Sequence, residues 1–530
     1  MTKLLLTAAF AVAAPCASAQ FMDVVDGLEY FFFTDEDGNS TACVEKLSDY
    51  FISTGVPQYA GDVVIPSSII YSGVTYTVDE IGYSAFQDCP GLTSITIPPT
   101  IKEINSSAFR NDTNLKAVYI SDLKAWCEIQ FGRSSYTNPL EYAHDLYLDG
   151  KLITDLVVPE GVTEIGYMQF YRGSMKSVSL PEGVTAIRHA AFGNCTDLKQ
   201  ISLPSSLEVI EGSVFSGCSS LEYAAIPPKV KTLEESVFYH CSSLTGVELP
   251  ETLTEIKKWA FIECTSLSDF KLPRDLKVVR GNVFYSCHAL PQLSLPNEID
   301  SIYGSAFYNS TGWKTINIPA SLKALGDAAF MCGGLNILTS RCTTLPESLH
   351  PNTPFYDAHE QSVVAAFPTA ALDDYNADSR FSGFMKRNGT TLKPRIDVRA
   401  AADIKLEFTL PRLVEESFYW GEAYDGMTIF APAKTELVCR LPDGLPEGFS
   451  ITYNGEDITT SLSDNVFELP ELTSDSALEI SDKAGVECPK ADADDCVYYD
   501  LQGMKLTAPA PGAVCIERKP DGATRKIRID

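Results

Sequence analysis

The sequence predicts a mostly β protein, with short helical or irregular turns, in which 23-residue repeats stack into a solenoid. Three kinds of residue share that period: a proline after a strand-like run, a phenylalanine, and a cysteine three positions after five of the phenylalanines. A fixed period of this length indicates stacked units that bury their apolar faces against their neighbours. Because a stack offers long surfaces, we expect a binding protein. The three rows are Pro181, Pro204, Pro227, Pro250, Pro273, Pro296 and Pro319; Phe192, Phe215, Phe238, Phe261, Phe284, Phe307 and Phe330; and Cys195, Cys218, Cys241, Cys264 and Cys287.

Each repeat carries two segments whose apolar residues are predicted to face inwards. Around Pro204, the residues Ile201 and Leu203 flank a serine, which is the alternation of a strand with one buried face. Pro204 has no N–H for a sheet ladder, which suits the end of that strand. A second apolar set follows and ends at Phe215. Because stacked strands lie about 4.8 Å apart, we expect the phenylalanine rings to form one internal column. The seven phenylalanines above are preceded in this column by Phe86, Phe109 and Phe170, and a degenerate repeat at about 335–355 is expected to cap it.

This pattern resembles the BspA-like leucine-rich repeats of bacterial surface proteins. The resemblance covers about residues 63–355, and it includes the motifs Gly61-Asp62-Val63-Val64-Ile65-Pro66 and Tyr76-Thr77-Val78-Asp79-Glu80-Ile81-Gly82 and an insertion at about 118–150. It implies a right-handed leucine-rich repeat solenoid, which we place at residues 61–390. In some members it also implies adhesion to host matrix proteins or to other bacteria.

The N-terminal residues are typical of an export signal followed by a small cap. Residues 1–19 combine a lysine, an apolar run and a small-residue cleavage pattern, as secretory signal peptides do. Lipid attachment at Cys16 is an alternative, which the preceding Pro15 disfavours. Residues 20–60 are expected to form an N-terminal β cap, in which Asp37-Gly38 between β-prone runs indicates a hairpin. A calcium loop there would lack its remaining ligands.

Beyond Phe384 the 23-residue period is lost. Residues 398–485 contain short alternating runs at close spacing, which predict a small β-sandwich-like domain. An acidic linker is expected at 486–496, followed by a short C-terminal β-unit at 497–530. In that unit, Val497-Tyr498-Tyr499-Asp500-Leu501-Gln502-Gly503 and the run from Pro511 to Ile516 resemble the tail of type IX secretion sorting domains, with Val514 where that motif usually has tyrosine. The resemblance implies surface display.

Composition and motifs argue against several classes of function. The formal net charge is −29, and no stripe of Lys and Arg is present to neutralise phosphates, so we expect no nucleic-acid partner. The sequence contains none of the motifs of metalloproteases, serine hydrolases, phosphate loops or dinucleotide sites. We therefore expect no enzyme activity and no cofactor. No segment after the signal is long enough to span a bilayer.

The cysteine row allows three interpretations. Disulfides suit an exported protein, but parallel equivalent side chains rarely reach the required dihedral angle. Because Ser310 and Gly333 occupy the same position in later repeats, we interpret the row as buried free thiols in a slot for small side chains. Zinc is the sharper alternative, since His240 adjoins Cys241 and His288 adjoins Cys287. Those pairs lie two repeats apart, about 10 Å by strand spacing, which one zinc ion does not bridge.

The polar residues of the first strand of each repeat are expected to face outwards and to share one surface. This surface has small side chains, mixed charge and few aromatic residues, since Tyr119 and Tyr223 stand apart. It is either a solvated sheet or a surface that contacts a ligand. The candidate ligand-contacting residues are Lys176, Ser179, Lys199, Gln200, Ser202, Glu222, Tyr223, Thr245, Glu248, Asp269, Lys271, Gln292, Lys314 and Asn317.

Two functions from different classes compete. The first is non-enzymatic protein–protein adhesion or recognition at the bacterial cell surface, with a host matrix protein or another surface protein as the partner. The second is a carbohydrate-binding accessory role, in which Phe418, Tyr419 and Trp420 of the C-terminal β-domain would form a sugar platform; these three are also candidates for a core. Sugar-binding faces usually need exposed aromatic rings, so the repeat surface favours a protein partner.

Overall fold

The computed structural model describes residues 21–482 with short gaps, and four strands after residue 482. The gaps lie at 35–37, 54, 56–57, 135, 349–352, 356–359, 361, 388–390, 402–403 and 414–419. The predicted signal peptide and the linker at 486–496 fall outside the described residues, and so do Asp37 of the predicted hairpin and Cys16. The chain divides into two compact units, one made of residues 1–313, 319–334 and 346–358 and the other of residues 314–318, 335–345 and 359–530.

The first unit begins with two sheets. Its first elements are β1 (Phe21–Val25), β2 (Leu28–Thr34), β3 (Ser40–Glu45), α1 (Asp49–Ser53), β4 (Ala60–Val64), β5 (Ser68–Tyr71), β6 (Val74–Ile81), β7 (Gly91–Thr96), β8 (Glu103–Ile104), β9 (Ala117–Ile120), α2 (Leu123–Glu128), β10 (Gln130–Phe131), α3 (Leu140–Ala143), β11 (Asp145–Leu148) and β12 (Lys151–Leu152). One sheet has the order β1-β2-β3-β6-β8-β10, with β5 on β6, and the other has the order β12-β11-β9-β7-β4. The segment predicted as a cap thus shares a sheet with the first repeats, because β3 pairs in parallel with β6.

In the repeats that follow, each repeat adds a strand to a second parallel ladder, and most also add one to a leading ladder. The strands are β13 (Asp155–Val157), β14 (Glu164–Ile165), β15 (Ser177–Ser179), β16 (Ala186–Ile187), β17 (Gln200–Ser202), β18 (Val209–Ile210), β19 (Tyr223–Ala225), β20 (Thr232–Leu233), β21 (Gly246–Glu248), β22 (Glu255–Ile256), β23 (Asp269–Phe270), β24 (Val278–Val279) and β25 (Ser301–Ile302), and later β27 (Ala324–Leu325) and β29 (Glu347–Ser348). The leading ladder is β13-β15-β17-β19-β21-β23, and the second ladder comprises β14-β16-β18 and β20-β22-β24-β25-β27-β29. Paired residues such as Tyr223, Gly246 and Asp269 lie one sequence period apart.

Residues 118–150, the predicted insertion, contain strands that pair with those of the preceding repeats. The strand β9 pairs in parallel with both β7 and β11, and β10 pairs in parallel with β8. The extra length is α2, whose N-terminus is capped by the Asp122 carboxylate, which accepts hydrogen bonds from the backbone N–H groups of Lys124 and Ala125. Trp126 of this helix is almost fully buried. The strands of this segment thus continue the pairing of the preceding repeats, whereas β10 and β11 pair with no strand of the repeats that follow.

The phenylalanine rings stack in two columns. The shorter column joins Phe86 to Phe109, with ring centroids 5.3 Å apart. The longer one runs from Phe170 through every phenylalanine of the periodic row to Phe330 and ends on Phe355, with centroids 5.2 to 6.0 Å apart. Among the described residues no ring contact joins Phe109 to Phe170. The buried Asn138 amide lies beside this break, since it donates hydrogen bonds to the carbonyls of Met168 and Gln169, so the expected single column is corrected to two.

The second unit is built on two sheets that share one core. Its elements are β26 (Thr315–Ile318), β28 (Ile337–Ser340), β30 (Val364–Pro368), α4 (Leu372–Ala377), α5 (Ser382–Met385), β31 (Lys386–Arg387), β32 (Thr391–Leu392), β33 (Arg395–Ala400), β34 (Leu406–Thr409), β35 (Gly421–Ala423), β36 (Met427–Phe430), β37 (Thr435–Arg440), β38 (Phe449–Tyr453), β39 (Glu456–Asp457), β40 (Val466–Leu472) and β41 (Ser476–Asp482), with short 3₁₀ turns at Thr369–Ala371, Pro411–Leu413 and Thr459–Ser461. The eight-stranded sheet has the order β26-β28-β30-β36-β33-β41-β38-β39, and the four-stranded sheet has the order β35-β34-β37-β40. Buried residues of both sheets, such as Ile429 and Phe408, belong to one hydrophobic cluster.

The second unit begins earlier in the sequence than the loss of the period suggests. The strands β26 and β28 lie before residue 390, and they pair in parallel with each other and, through β30, join the sheet that contains β33 and β41. The four strands after residue 482, β42 (Val497–Tyr499), β43 (Lys505–Leu506), β44 (Val514–Arg518) and β45 (Thr524–Arg528), form an antiparallel sheet of order β43-β42-β44-β45.

Replacing Phe238 with alanine is predicted to destabilise the first unit. The ring is fully buried and stacks on Phe215 and Phe261, so its removal leaves a cavity between two repeats, and we expect a loss of about 3–5 kcal/mol in the free energy of unfolding. Urea denaturation of the variant measures this loss. Tyr83→Ala is the control, because Tyr83 is 64% exposed and its truncation should cost less than about 1 kcal/mol. Equal stability of Phe238→Ala and the wild type would refute a supporting role for the column.

Candidate functional site

The outer side of the leading ladder carries most of the predicted ligand-contacting residues. Eleven of the fourteen are exposed: Lys176, Ser179, Lys199, Gln200, Ser202, Glu222, Tyr223, Thr245, Glu248, Asp269 and Lys271. They face outwards because alternate residues of each strand, such as Val178 and Val247, are buried. Two neighbours interact across the surface, since the Tyr223 hydroxyl donates a hydrogen bond of 3.0 Å to the Glu248 carboxylate.

Gln292 does not lie on a strand, which corrects the prediction that the leading ladder continues through it. In earlier repeats, the residue just before the strand donates its N–H to the repeat before: for example, Glu222 N–H donates to the Lys199 carbonyl at 3.1 Å, and Ser268 N–H to the Thr245 carbonyl at 3.0 Å. Pro291 stands at this position in the next repeat. Because proline has no N–H, that bond is lost, and the ladder ends at β23.

Asn317 is a structural residue of the second unit, and its assignment to the ligand surface is corrected. Its side-chain N–H group donates to the Trp420 carbonyl at 3.1 Å, and its side-chain oxygen accepts hydrogen bonds from the Thr339 hydroxyl at 2.7 Å and the Glu422 N–H at 3.3 Å. An amide held by three partners is not available to a ligand. Lys314, at the start of the same segment, is half-buried.

A mainly apolar stripe crosses the sheet β12-β11-β9-β7-β4, which precedes the leading ladder in the sequence. Val64 pairs with Thr96, Thr96 with Tyr119, Tyr119 with Tyr147, and Tyr147 with Leu152. Val64 is 64% exposed and Leu152 is 39% exposed, and the two tyrosine rings between them are tilted by 32° with centroids 4.9 Å apart. Hereafter these five residues are called the tyrosine stripe.

Two carboxylates lie beside the tyrosine stripe on the same side of the sheet. Asp62 and Asp145 precede Val64 and Tyr147 by two residues, and residues two apart on a strand share a face. Hydrogen bonds from the hydroxyls of Ser94 and Thr93 lower the pKa of Asp62, so this group stays anionic. The stripe is therefore an apolar ridge with an acidic margin.

Tyr147 was not among the predicted site residues. Its pairing with Tyr119 requires a step of 28 residues, whereas the regular period is 23. The signal that could have found it is the similarity between the runs Val118-Tyr119-Ile120 and Leu146-Tyr147-Leu148, which gives both tyrosines the same position between two apolar residues.

Trp420 and the tyrosine pair of the stripe are poor platforms for a sugar, which stacks on an open ring face. The rings of Tyr119 and Tyr147 pack against each other, with centroids 4.9 Å apart. Trp420 is only 6% exposed and packs against the Arg440 guanidinium, 4.1 Å from the ring centroid. Phe418 and Tyr419 fall outside the described residues.

The cysteine row fills a slot that also requires a hydrogen-bond donor. Each thiol donates to the carbonyl oxygen of the phenylalanine one repeat earlier, as the Cys241 thiol does to the Phe215 carbonyl at 3.1 Å. The same bond is made by Cys195, Cys218, Cys264 and Cys287 at 3.0 to 3.1 Å. Ser310 makes it through its hydroxyl at 2.8 Å. All five cysteines are free and fully buried, and burial raises the pKa of the Cys218 thiol to about 12.

The histidines next to these cysteines have other partners. His240 Nδ1 lies 3.3 Å from a carboxylate oxygen of Glu263, and His288 Nδ1 lies 3.2 Å from the Asn309 carbonyl. The thiols of Cys241 and Cys287 instead bond to carbonyls of the core. In the part of the chain that the structure describes, no group of three or more His, Cys, Asp or Glu side chains is arranged to hold a metal ion.

These features define a class of protein: a mostly β repeat protein whose stacked units bury leucine, isoleucine and phenylalanine and expose a broad sheet surface. The model of the BspA type leucine-rich repeat region matches residues 67–138, 145–265 and 231–353 in six copies, together more than half of the chain. The chain belongs to this family. Within the described residues, no helix has the length and apolar character needed to cross a membrane.

Several solved structures are similar to the chain, at low overall superposition. A leucine-rich repeat protein from Bacteroides ovatus is 24% identical, with 62% of this chain and 100% of that chain covered and a TM-score of 0.37. The T. pallidum leucine rich repeat protein is 34% identical, with 27% and 71% covered and a TM-score of 0.27. The pneumococcal vaccine antigen PcpA is 18% identical, with 60% and 81% covered and a TM-score of 0.36. No curated protein matches the chain.

Two substitutions at Cys241 test whether the slot needs a hydrogen-bond donor or only a small side chain. Cys241→Ser keeps a donor for the Phe215 carbonyl, as Ser310 does naturally for Phe284, whereas Cys241→Ala removes it. We expect the serine variant to be the more stable of the two by about 1 kcal/mol, the usual net value of one hydrogen bond. Urea denaturation compares them. An alanine variant as stable as the serine variant would show that the slot selects only for size.

Asp112 is predicted to make the stability of the first unit depend on pH. It occupies the slot after Phe109, it is fully buried, and burial raises its pKa from 3.8 to about 8. Between these two values the folded state keeps a proton that the unfolded state releases, so the free energy of unfolding falls as pH rises from about 4 to about 8, by at most about 1.4 kcal/mol per pH unit. Asp112→Asn should remove this contribution in urea denaturation at pH 5, 6, 7 and 8. A variant with the same slope as the wild type would contradict the assignment.

Proposed function

We propose that the protein is an exported, non-enzymatic surface protein that recognises a protein partner through the outer sides of the sheet β12-β11-β9-β7-β4 and of the leading ladder. The observation that carries the proposal is the tyrosine stripe, a mainly apolar row across five neighbouring strands in which Val64 and Leu152 are exposed and the two tyrosines are half-buried. Exposed apolar groups that adjoin one another mark interaction sites on soluble proteins, and tyrosine is enriched at the energetic centres of interfaces.

The outer side of the leading ladder, which follows the stripe in the sequence, suits the outer part of such an interface. Its exposed residues are small and polar and carry both signs of charge, as in Lys199, Glu222 and Asp269. A polar margin around an apolar centre is the usual arrangement of protein interfaces. Because Asp62 and Asp145 border the stripe, the partner that fits best presents lysine or arginine next to an apolar side chain.

The proposed domain organisation rests on the family resemblance and on the sequence. We infer that the repeats wind into a right-handed solenoid, that residues 398–485 contribute a β-sandwich-like domain, and that residues 497–530 form a sorting unit. Residues 1–19 support export as a signal peptide, and the motifs around Tyr498 and Gly512 support display at the cell surface. Adhesion to host matrix proteins or to other bacteria is the biological role that these features favour.

The tyrosine stripe is tested by binding of the mature full chain to immobilised host matrix proteins. We expect Tyr147→Ser to weaken binding at least tenfold, because loss of an aromatic anchor at an interface centre costs more than about 1.4 kcal/mol. Tyr83→Ser is the matched control, because Tyr83 is 64% exposed and lies outside the stripe. Surface plasmon resonance gives the two dissociation constants.

Two results would overturn this proposal. One is an equal loss of affinity in Tyr83→Ser and Tyr147→Ser, which would remove the stripe from the interface. The other is binding to a glycan array without binding to any matrix or bacterial surface protein, which would favour the carbohydrate-binding role.

A further inference from the structure

Trp259 is the one exposed tryptophan of the chain. Of the four tryptophans, Trp126, Trp313 and Trp420 are buried, at 0 to 6% exposure, whereas Trp259 is 38% exposed. It lies in the first unit, two residues before Phe261 of the periodic row. Neither the phenylalanine columns nor the tyrosine stripe includes this ring. A large aromatic side chain that is kept at the surface is a candidate contact for a ligand.

The backbone at Trp259 has a conformation that suits a large side chain poorly. Its φ is 66°, in the left-handed region that bulky residues rarely adopt. The Trp259 N–H group donates to the Gly281 carbonyl at 3.4 Å, whereas the equivalent bond of Ser305 measures 2.8 Å. Stability therefore does not account for a tryptophan here, and residues held in such conformations cluster at functional sites. The equivalent position of the other repeats has the same backbone, and apart from Met168 its side chains are small: Ser84, Ser107, Ala190, Ser213, Ser236, Asn282, Ser305 and Ala328.

The turn that carries Trp259 lies directly against an uncharged segment of the next repeat. The Phe261 N–H group donates to the Val283 carbonyl at 2.9 Å. The segment that contains this carbonyl, 281–286, and its equivalent one repeat further, 304–309, contain no charged residue. A ligand that contacts Trp259 and these two segments therefore meets no charge on them.

The two uncharged segments supply amide and hydroxyl groups. Asn282, which holds the position of Trp259 one repeat later, is half-buried, and its side-chain amide has no hydrogen-bond partner among the described residues. Asn309 is exposed, and its amide donates to the Ser286 hydroxyl at 3.3 Å. Amides and hydroxyls both donate and accept hydrogen bonds. These groups therefore suit a ligand that is rich in hydroxyl groups.

The cation next to the ring is already paired. The Lys258 ammonium lies 4.3 Å from the ring centroid of Trp259 and 3.2 Å from a carboxylate oxygen of Glu235. It covers one face of the indole, and its charge is balanced by Glu235. An anionic ligand would have to displace that carboxylate, so the geometry disfavours an acidic partner.

The surroundings of Trp259 favour a carbohydrate over a protein. The centre of a protein interface buries several apolar side chains together, but the neighbours of Trp259 at the equivalent position are Ser236 and Asn282. Tyr285 and Tyr308 are half-buried and stack on each other, with ring centroids 4.6 Å apart. One exposed indole among amides and hydroxyls suits a sugar instead, because the flat ring covers its apolar face and the polar groups fix its orientation.

We propose that Trp259 anchors an uncharged polysaccharide, which lies across the two uncharged segments. One sugar ring stacks on the indole on the side opposite Lys258, and the following sugars bond to the Asn282 and Asn309 amides. The repeats suit such a ligand because equivalent groups recur about every 4.8 Å along stacked strands, so that both partners are linear. The site is separate from the tyrosine stripe, so this proposal and the proposed protein partner can fail independently.

The proposal is tested with the mature full chain on an array of uncharged, sialylated and sulfated glycans. A bound uncharged glycan is then titrated by calorimetry into the wild type, Trp259→Ser and the control Tyr83→Ser, whose tyrosine is 64% exposed. We expect at least about tenfold weaker binding to Trp259→Ser, because the stacking surface is lost, and unchanged binding to Tyr83→Ser. The Trp259→Ser variant should fold, since serine holds the equivalent position in other repeats, as at Ser236.

Tryptophan fluorescence identifies the ring that the glycan contacts. Addition of the glycan should change the emission of the wild type but not that of Trp259→Phe, because the three remaining tryptophans are buried. Phenylalanine keeps a ring, so this variant should bind more tightly than Trp259→Ser.

Four results would overturn the proposal. They are an array on which no uncharged glycan is bound, equal affinity of the wild type and Trp259→Ser, and binding confined to sialylated or sulfated glycans. The fourth is a loss of matrix-protein binding in Trp259→Ser, which would place the indole in a protein interface.

Discussion

The structure of the repeats depends on one buried carbonyl group per repeat. The phenylalanine that points into the core leaves its own C=O inside the stack, where it accepts one backbone N–H from its own repeat, as the Phe215 carbonyl does from Cys218 at 3.1 Å, and keeps a second lone pair for another donor. The residue three positions after the next phenylalanine donates to it, as the Cys218 thiol does to Phe192 and the Ser310 hydroxyl to Phe284. Ring stacking is tolerant of sliding, whereas a hydrogen bond is directional. The donor therefore fixes how each repeat sits on the one before and explains why the cysteine and phenylalanine rows keep the same period.

Much of this arrangement follows from the period alone, and the exceptions have physical reasons. Equal spacing of Phe238 and Phe261 predicts that their rings meet, and they do. Spacing does not reveal that Pro291 ends the leading ladder, because proline is also common where these strands finish. The spacing also predicted that the cysteine slot takes small side chains. It did not predict that the slot needs a hydrogen-bond donor, since cysteine and serine share both properties.

The backbone conformation of the turns is the feature that is hardest to predict from residue type. The repeats adopt left-handed backbone two residues before and two residues after the phenylalanine, as at Ser213 and Gly217 around Phe215. Glycine favours this conformation, but the first of these sites is occupied by Trp259 in a later repeat and the second by His240. Cross-repeat hydrogen bonds, such as Ser213 N–H to the Glu235 carbonyl at 2.9 Å, hold the conformation. Long-range pairing thus overrides local preference, and a local pattern search misses these turns.

One irregularity in the sequence shapes the candidate site. The step of 28 residues between Tyr119 and Tyr147 brings the two rings together on the sheet β12-β11-β9-β7-β4, and the hairpin that follows adds Leu152 to the same row. Because the hairpin turns back, β10 and β14 are not paired with each other, and residues of both line a cavity. A perfectly periodic stack would satisfy every backbone group and would present the same small polar residues along its whole length. Recognition of a protein partner is therefore expected where the period is broken, since that is where exposed apolar area arises.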